Sequence, residues 1–325
     1  MKRILTTLLI LLAATGTRLA AQDIEPSGTY LYAVKDTCEL WLDVYEPLSG
    51  SRTSVGDKAK PTIIYVFGGG FMKGEKSMSF HRLWFHRLNA DGYRVIAIDY
   101  RLGLKGTTLN IGFKAVRMFG RAVALAVDDL YSAATFLVDN ASEFGIDPEN
   151  IVVCGSSAGA ITALEAEWML CNSDEAAEVL PEGFDFAGMV SLAGAIFSDH
   201  GSVRYDREPC PTLFLHGTKD ALVKYGSLSL FNYRLESSPK LYRKFIRNGY
   251  DAEILRFKGN GHEIARSMLN NHNLITDFIE TEVMGGVGRR LDATICDPSI
   301  LRPDWGGQST AAAFKQNRGA TAMAE

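Results

Sequence analysis

The sequence predicts an α/β fold, with a mostly parallel open sheet that is covered by helices on both faces. Short runs rich in valine and isoleucine alternate with longer stretches whose apolar residues recur at helical spacing. The central runs, such as residues 151–154, are apolar at every position, which is typical of strands buried on both faces. The 325 residues, of which 46% are hydrophobic and 22% charged, supply enough apolar material for one large core.

The elements follow in chain order. Residues 30–34 and 40–45 predict two strands of an antiparallel lead-in, and the second stops at Glu46-Pro47. Further strands are predicted at residues 62–67, 94–98, 151–154, 188–192, 212–215 and 252–257. Helices are predicted at residues 79–90, 122–143, 158–170, 227–235 and 263–279.

Two stretches without a clear period, residues 103–120 and 195–210, are candidate loops or caps above the site. After Met284 the sequence becomes irregular and rich in glycine, alanine and arginine. We therefore expect one catalytic domain over residues 22–284 and an irregular C-terminal extension over residues 285–325.

The first 21 residues have the layout of a secretory signal peptide. Lys2 and Arg3 precede an apolar run over residues 4–14, and two alanines stand at the expected cleavage point. A membrane anchor needs about 20 apolar residues, and this run is shorter and interrupted by threonines. We expect a secreted or periplasmic protein without a membrane anchor.

Charge and cysteine content exclude other classes. Cleavage after Ala21 removes three cations and no acid, which takes the formal net charge from −4 to −7, so we expect no nucleic-acid partner. The odd number of cysteines and the lack of a Cys-x-x-Cys pair argue against a zinc site and a disulfide scaffold. At most two disulfides are possible, and their pairing stays open. The cysteines are Cys38, Cys154, Cys171, Cys210 and Cys296.

The candidate nucleophile is Ser157. The segment Gly155-Ser156-Ser157-Ala158-Gly159 follows a predicted strand and opens a predicted helix, which is the context of a nucleophile elbow. The register selects Ser157 because glycines flank it two places on either side, whereas Cys154 and Ala158 flank Ser156.

A serine nucleophile needs a general base, and the base needs a carboxylate that orients it. In the chain order Ser, acid, His, both partners lie downstream of the elbow. Asp220 and His262 each follow the end of a predicted strand, so we expect them at the same edge of the sheet as Ser157. Asp199, beside His200, is the alternative acid, and His216 is interpreted as a structural turn residue.

Backbone donors for an oxyanion are expected in the glycine run after the strand at residues 62–67. Gly69, Gly70 and Ala158 are the predicted oxyanion hole. A phosphate-binding loop is the competing interpretation, but Glu75 spoils its spacing. Phe71 and Ser156 are predicted to contact substrate, together with the stretch at residues 103–120.

Residues 62–280 resemble the α/β-hydrolase carboxylesterases, near their acetyl-esterase and hormone-sensitive-lipase-like branch. The resemblance implies a triad of Ser157, Asp220 and His262 and no cofactor or metal. Two positions depart from the family pattern: Phe67 replaces a histidine before the glycines, and Gly103-Leu104-Lys105 replaces Ala-Pro-Glu. The matching motifs are Leu42-Asp43-Val44-Tyr45, Gly68-Gly69-Gly70, Asp99-Tyr100-Arg101-Leu102, Phe144-Gly145-Ile146-Asp147-Pro148, His216-Gly217-x-x-Asp220 and Gly261-His262.

The sequence therefore predicts a secreted serine esterase that acts on short-chain or carbohydrate-linked carboxylic esters, either small molecules or esters carried on polysaccharides. One alternative is a serine exopeptidase of the prolyl-oligopeptidase type, although no propeller repeat or large inserted cap is visible. The other is a non-catalytic binding module on a hydrolase fold. The sequence does not define an oligomeric state.

Overall fold

The computed structural model describes residues 24–108, 112–199, 201–230 and 232–300. Its main sheet has nine strands in the order β1-β2-β4-β3-β5-β6-β7-β8-β9. The β2 strand runs antiparallel to β1 and β4, and all other neighbours are parallel. The strands are β1 (Gly28–Lys35), β2 (Cys38–Tyr45), β3 (Thr62–Val66), β4 (Arg94–Ile98), β5 (Ile151–Ser156), β6 (Gly188–Leu192), β7 (Thr212–Gly217), β8 (Ala252–Phe257) and β9 (Asp292–Ile295).

The central strands are covered on both faces. Every residue of β3, β5, β6 and β7 is buried, although successive side chains point to opposite faces. The predicted fold class, a mostly parallel open sheet between layers of helices, is confirmed. The helices are α1 (Ser79–Ala90), α2 (Phe113–Asp139), α3 (Ala141–Phe144), α4 (Ala158–Cys171), α5 (Ser238–Asn248) and α6 (His272–Phe278), with short 3₁₀ turns at Glu175–Val179 and His262–Arg266 and a π-turn at Ile279–Val283.

One predicted helix is wrong. Residues 227–235 form parts of two antiparallel strands, Ser227–Leu230 and Tyr233–Ser237, which join Ala195–Ser198 in a small three-stranded sheet. In Ser227–Leu230 two leucines alternate with two serines, but this strand period covers only four residues, and Tyr233–Ser237 has a single leucine. The helix begins only at Ser238, and Pro239 lies in its first turn. Proline is tolerated there because the N–H that it lacks would have no partner within the helix.

Other boundaries also differ from the predictions. Because α2 begins at Phe113, the stretch at residues 103–120 is only partly a loop. The single helix expected at residues 263–279 is replaced by a 3₁₀ turn, α6 and a π-turn. A shorter strand pair, Ser54–Val55 with Lys58–Ala59, precedes β3. The expectation of irregular structure after Met284 is wrong for β9, which pairs in parallel with β8 and extends the sheet.

Residues 1–21, the predicted signal peptide, and residues 301–325 of the predicted extension lie outside the described residues. Within the described ranges, no helix is both long enough and apolar enough to cross a membrane. All five cysteines lie in these ranges, and each is a free thiol.

The topology sets where the site lies. Parallel β5, β7 and β8 end at Ser156, Gly217 and Phe257, so the residues that follow them meet at one edge of the sheet. Ser157, Asp220 and His262 stand one, three and five residues beyond these ends. Three separate loops thus deliver the three predicted catalytic side chains to the same edge.

Candidate active site

Ser157 lies on a sharp turn between β5 and α4. Its backbone has φ 52° and ψ −114°, a left-handed conformation that is costly for a residue with a Cβ. A Cβ added to Gly159 would lie 2.1 Å from the carbonyl oxygen of Val66, so the turn packs against β3 only with glycine at this position. The Ser157 amide donates to the carbonyl of Leu192 at 2.9 Å, which ties the turn to β6. The strained turn holds the hydroxyl away from the sheet.

The hydroxyl of Ser157 points at His262. Ser157 Oγ lies 2.8 Å from His262 Nε2, and His262 Nδ1 lies 2.8 Å from Asp220 Oδ2. Because the carboxylate is an acceptor, Nδ1 carries the hydrogen and Nε2 accepts the hydrogen of the serine hydroxyl. The His262 side chain is 22% exposed, so solvent and substrate reach this end of the chain of hydrogen bonds.

Asp220 is buried, and both of its oxygens are fully engaged. Oδ1 accepts the amide hydrogens of Leu222 at 2.9 Å and Val223 at 3.0 Å. Oδ2 faces His262 and, at 3.3 Å, the Nε2 atom of His216. Burial alone would raise the pKa of the Asp220 carboxyl, but the hydrogen bonds from His216 and His262 outweigh burial and hold the pKa below its usual range. The carboxylate is therefore ionised at neutral pH.

The sequence interpretation of His216 as a turn residue misses its contact with the catalytic acid. The His216 side chain is completely buried, and its ring lies at the end of β7, four residues before Asp220. The signal in the sequence is the spacing His216-Gly217-x-x-Asp220, which brings both side chains to the same strand end.

The glycine loop after β3 lies beside the nucleophile. A Cβ added to Gly68 would approach the Ser157 Cβ to 3.1 Å. Gly69 has φ 140°, and a Cβ there would meet the carbonyl oxygen of Lys73 at 1.7 Å, so only glycine fits this turn. Ala158 opens α4, where the first amide N–H groups have no partner within the helix. The glycine loop and the start of α4 thus flank Ser157, and Gly69, Gly70 and Ala158 stay the predicted backbone donors of the oxyanion hole.

Phe71 and Ser156 are buried, and direct contact with substrate does not fit either side chain. Phe71 lies beneath the glycine loop, its ring in edge contact with Phe119, and its carbonyl accepts the amide hydrogen of Leu104 at 2.9 Å. The Ser156 hydroxyl donates to the carbonyl of Ala265 at 2.5 Å. Both side chains support the site from below: Phe71 holds the oxyanion loop, and Ser156 holds the turn that carries His262.

Asp199, the alternative acid, lies elsewhere. It lines a cavity of about 370 Å³ together with Arg117, Glu165 and Trp168, whereas His262 Nδ1 is occupied by Asp220. His200 lies outside the described residues. Over the ranges that the structure describes, no group of three or more histidine, cysteine, aspartate and glutamate side chains is arranged to hold a metal ion.

Part of the sequence is similar to a family model and to curated proteins that include esterases. Residues 42–173 match the model of the family described as BD-FAE. The fumonisin B1 esterase of Sphingopyxis macrogoltabida is 29% identical over 133 residues, which are 41% of this chain and 23% of that protein. Neuroligin-2 of Homo sapiens is 31% identical over 154 residues, 42% of this chain and 17% of that protein. The chain thus spans about a quarter or less of the length of these curated relatives.

Solved esterase structures match over most of their length. The apo form of Thermogutta terrifontis esterase 2 has a TM-score of 0.56 at 20% identity, covering 82% of this chain and 97% of that one. The same esterase phosphorylated by paraoxon has a TM-score of 0.54 at 20% identity, with 79% and 94% covered. The strand order, the strained elbow and the matches to solved structures show that the chain has the α/β-hydrolase fold, and its sequence is similar to those of esterases.

Proposed function

We propose that the protein is a serine esterase that hydrolyses carboxylic esters through an acyl-serine intermediate. The observation that carries the proposal is the unbroken chain of hydrogen bonds from Ser157 Oγ through His262 to Asp220, with 2.8 Å at each step. A hydroxyl, an imidazole and an ionised carboxylate in this order are the groups that activate serine. The esterases among the similar proteins support the same activity.

In the first half of the reaction, Ser157 Oγ attacks the ester carbonyl carbon while His262 Nε2 takes the hydroxyl proton. The carbonyl oxygen becomes an oxyanion, which accepts hydrogen bonds from the amides of Gly69, Gly70 and Ala158. The imidazolium is stabilised by Asp220 and gives its proton to the leaving alcohol. The bond between the carbonyl carbon and the alcohol oxygen then breaks, and the acyl group stays on Ser157.

In the second half, a water molecule replaces the alcohol. His262 takes a proton from the water as its oxygen attacks the acyl carbon, and the oxyanion forms again at the same amides. When this intermediate breaks down, the carboxylic acid leaves and His262 returns its proton to Ser157 Oγ. The protein is then in its starting state, with one ester and one water consumed.

Short-chain or carbohydrate-linked esters are the proposed substrates. The connection between β6 and β7 supplies the four-residue strand Ala195–Ser198 of the small sheet, so a long apolar lid is not built there. We also propose export, on the strength of Lys2, Arg3 and the apolar run that follows them. An exported esterase meets acylated polysaccharides outside the cytoplasm, and this substrate class is part of the proposal.

A panel of chromogenic substrates tests the proposal. We expect hydrolysis of p-nitrophenyl acetate and butyrate, weaker hydrolysis of the decanoate, release of acetate from acetylated xylan, and no cleavage of an aminoacyl p-nitroanilide. Ser157→Ala is the control and should abolish each activity. Cleavage of the anilide faster than the acetate would instead favour an exopeptidase. Absence of all hydrolysis by folded protein would favour a binding module.

A further inference from the structure

The catalytic carboxylate is shared by two serine–histidine pairs. On one side, Asp220 Oδ2 meets His262, which meets Ser157. On the other side, the same oxygen lies 3.3 Å from His216 Nε2, and His216 Nδ1 lies 2.8 Å from the hydroxyl of Ser238. The second pair is completely buried, because the side chains of both members have no exposed surface.

The partners of His216 define where its hydrogen lies. Nε2 also lies 2.9 Å from the carbonyl oxygen of Val223, and neither this oxygen nor the carboxylate can donate. Nε2 therefore carries a hydrogen that it donates to Val223 at 2.9 Å, with Asp220 Oδ2 as a second and more distant acceptor at 3.3 Å. In the neutral ring, Nδ1 then accepts the hydrogen of the Ser238 hydroxyl at 2.8 Å, a shorter contact than the 3.3 Å from this hydroxyl to the carbonyl oxygen of Gly194. Every polar atom of the buried imidazole has a partner, so the ring has one well-defined orientation.

We propose, on the basis of the esterase function above, that His216 is a positioning residue: its Nε2–H holds Oδ2 of Asp220 in place to accept the Nδ1–H of His262, while Ser238 orients the His216 ring. Among the described residues, the backbone amides that donate to the Asp220 carboxylate are those of Leu222 and Val223, and both donate to Oδ1. Without His216, Oδ2 keeps one hydrogen-bond donor, His262. The carboxylate then rotates more freely about the axis that Oδ1 defines.

Four other ionisable groups lie near this network. The Tyr225 ring packs edge-on against His216 at 5.6 Å between centroids, and its hydroxyl accepts a hydrogen bond from Arg256 at 2.6 Å. Glu263 accepts the amide hydrogen of Gly261 at 2.9 Å. Arg256 is in turn paired with Asp292 on β9. These groups are unchanged in the variants below, so they do not produce a difference between them.

The test compares His216→Met, which removes the donor, with His216→Gln, whose amide nitrogen reaches a similar place. Removing the donor leaves more negative charge on Oδ2 for His262. We expect His216→Met to lower kcat for p-nitrophenyl acetate about ten-fold with little change in KM. The acid limb of the pH profile of kcat/KM should shift to higher pH by about half a pH unit. His216→Gln should restore most of kcat and return the limb to its wild-type position.

Ser238→Ala is the smallest perturbation of the network and covers the case in which His216→Met does not fold. It should move the acid limb in the same direction by a smaller amount. His81→Gln is the matched control, because His81 is also a buried histidine but lies on α1, where its ring packs against Tyr65 and not against Asp220. His81→Gln should leave the pH position of the acid limb unchanged.

A second measurement separates this proposal from the esterase proposal. NMR titration of the carbon-bound ring protons of His262, assigned with His262→Gln, follows the same equilibrium without any turnover. The positioning role is supported, even if no ester is hydrolysed, when the midpoint of the His262 titration lies at higher pH in His216→Met than in the wild type. In His216→Gln the midpoint should return to its wild-type pH. A midpoint equal to that of His81→Gln, a downward movement, or a shift that His216→Gln does not reverse would overturn it.

Discussion

Ser157–His262 and Ser238–His216 consist of the same groups and share one oxygen of Asp220, yet their surroundings differ. Ser157 stands on a strained turn with φ 52°, and its histidine is 22% exposed. Ser238 lies in the first turn of α5, and neither it nor His216 has exposed surface. Under the proposed mechanism, a hydroxyl, an imidazole and a carboxylate in hydrogen-bonded order are therefore not enough for catalysis. The elbow adds access and the backbone donors of the glycine loop.

The largest difference is expected between the two serines. Ser157→Ala should lower kcat for p-nitrophenyl acetate by at least about 10³-fold, because it removes the hydroxyl that is hydrogen-bonded to His262. Ser238→Ala should lower it by less than about ten-fold, since it changes only the support of Asp220. Steady-state kinetics on both variants checks this. Comparable losses from the two changes would break the distinction between a reacting and a supporting serine.

The next effect is expected at the shared carboxylate. Asp220→Asn should lower kcat about 10³-fold at neutral pH, because an amide neither stabilises the imidazolium nor holds the reacting tautomer. It should also change stability. The pKa of Asp220 is below its usual range in the folded protein, so the ionised carboxylate stabilises the fold above about pH 4, and this contribution is lost as the pH falls further.

Denaturant unfolding at several pH values measures the stability part of this prediction. The wild type should lose more unfolding free energy than Asp220→Asn between about pH 4 and pH 2. Equal losses in the two proteins would mean that Asp220 is not held in its ionised form by the two histidines.

A smaller effect is expected at Ser156, which supports only the exposed pair. Its hydroxyl holds the carbonyl of Ala265 in the turn that carries His262. Ser156→Ala should lower kcat about three- to ten-fold with little change in KM, since the base loses part of its positioning while the binding surface stays intact. Kinetics over a range of ester concentrations separates the two constants. A rise in KM with constant kcat would instead assign Ser156 to substrate binding.

The last prediction concerns stability alone, at a buried histidine without a carboxylate partner. Burial lowers the pKa of His81 to about 3, whereas an unfolded histidine titrates near 6.5. The unfolded chain therefore binds the proton first, and stability falls on acidification from about pH 6.5 by up to about 1.4 kcal/mol per pH unit. His81→Gln should flatten this part of the curve, as measured by unfolding between pH 7 and pH 4. An unchanged slope would show that His81 makes no such contribution.

Much of the architecture follows from periodicity alone. The predicted strand at residues 188–192 and the helix at residues 79–90 have the observed bounds, because a buried parallel strand is mostly apolar and the apolar residues of α1 recur at helical spacing. The small three-stranded sheet could not be predicted from periodicity. Segment Ser227–Leu230 is largely exposed and gains its strand conformation by pairing with Tyr233–Ser237, a tertiary contact that a local pattern does not report.

The site shows the same division. Ser157, Asp220 and His262 were predictable because each follows a strand end in a fixed chain order. The roles of Ser156 and His216 were not, since they depend on which way a side chain turns at the strand end. The Ser156 hydroxyl turns toward Ala265, and the His216 ring turns toward Asp220.

The most direct test of the central claim is to identify the serine that reacts with a fluorophosphonate. Folded protein is treated with a fluorophosphonate, and its peptides are analysed by mass spectrometry. We expect one adduct, on Ser157, and none on Ser238, although both hydroxyls lie 2.8 Å from a histidine nitrogen. An adduct on Ser238, an adduct that persists in Ser157→Ala, or no adduct on the folded wild type would contradict the assignment of Ser157 as the nucleophile.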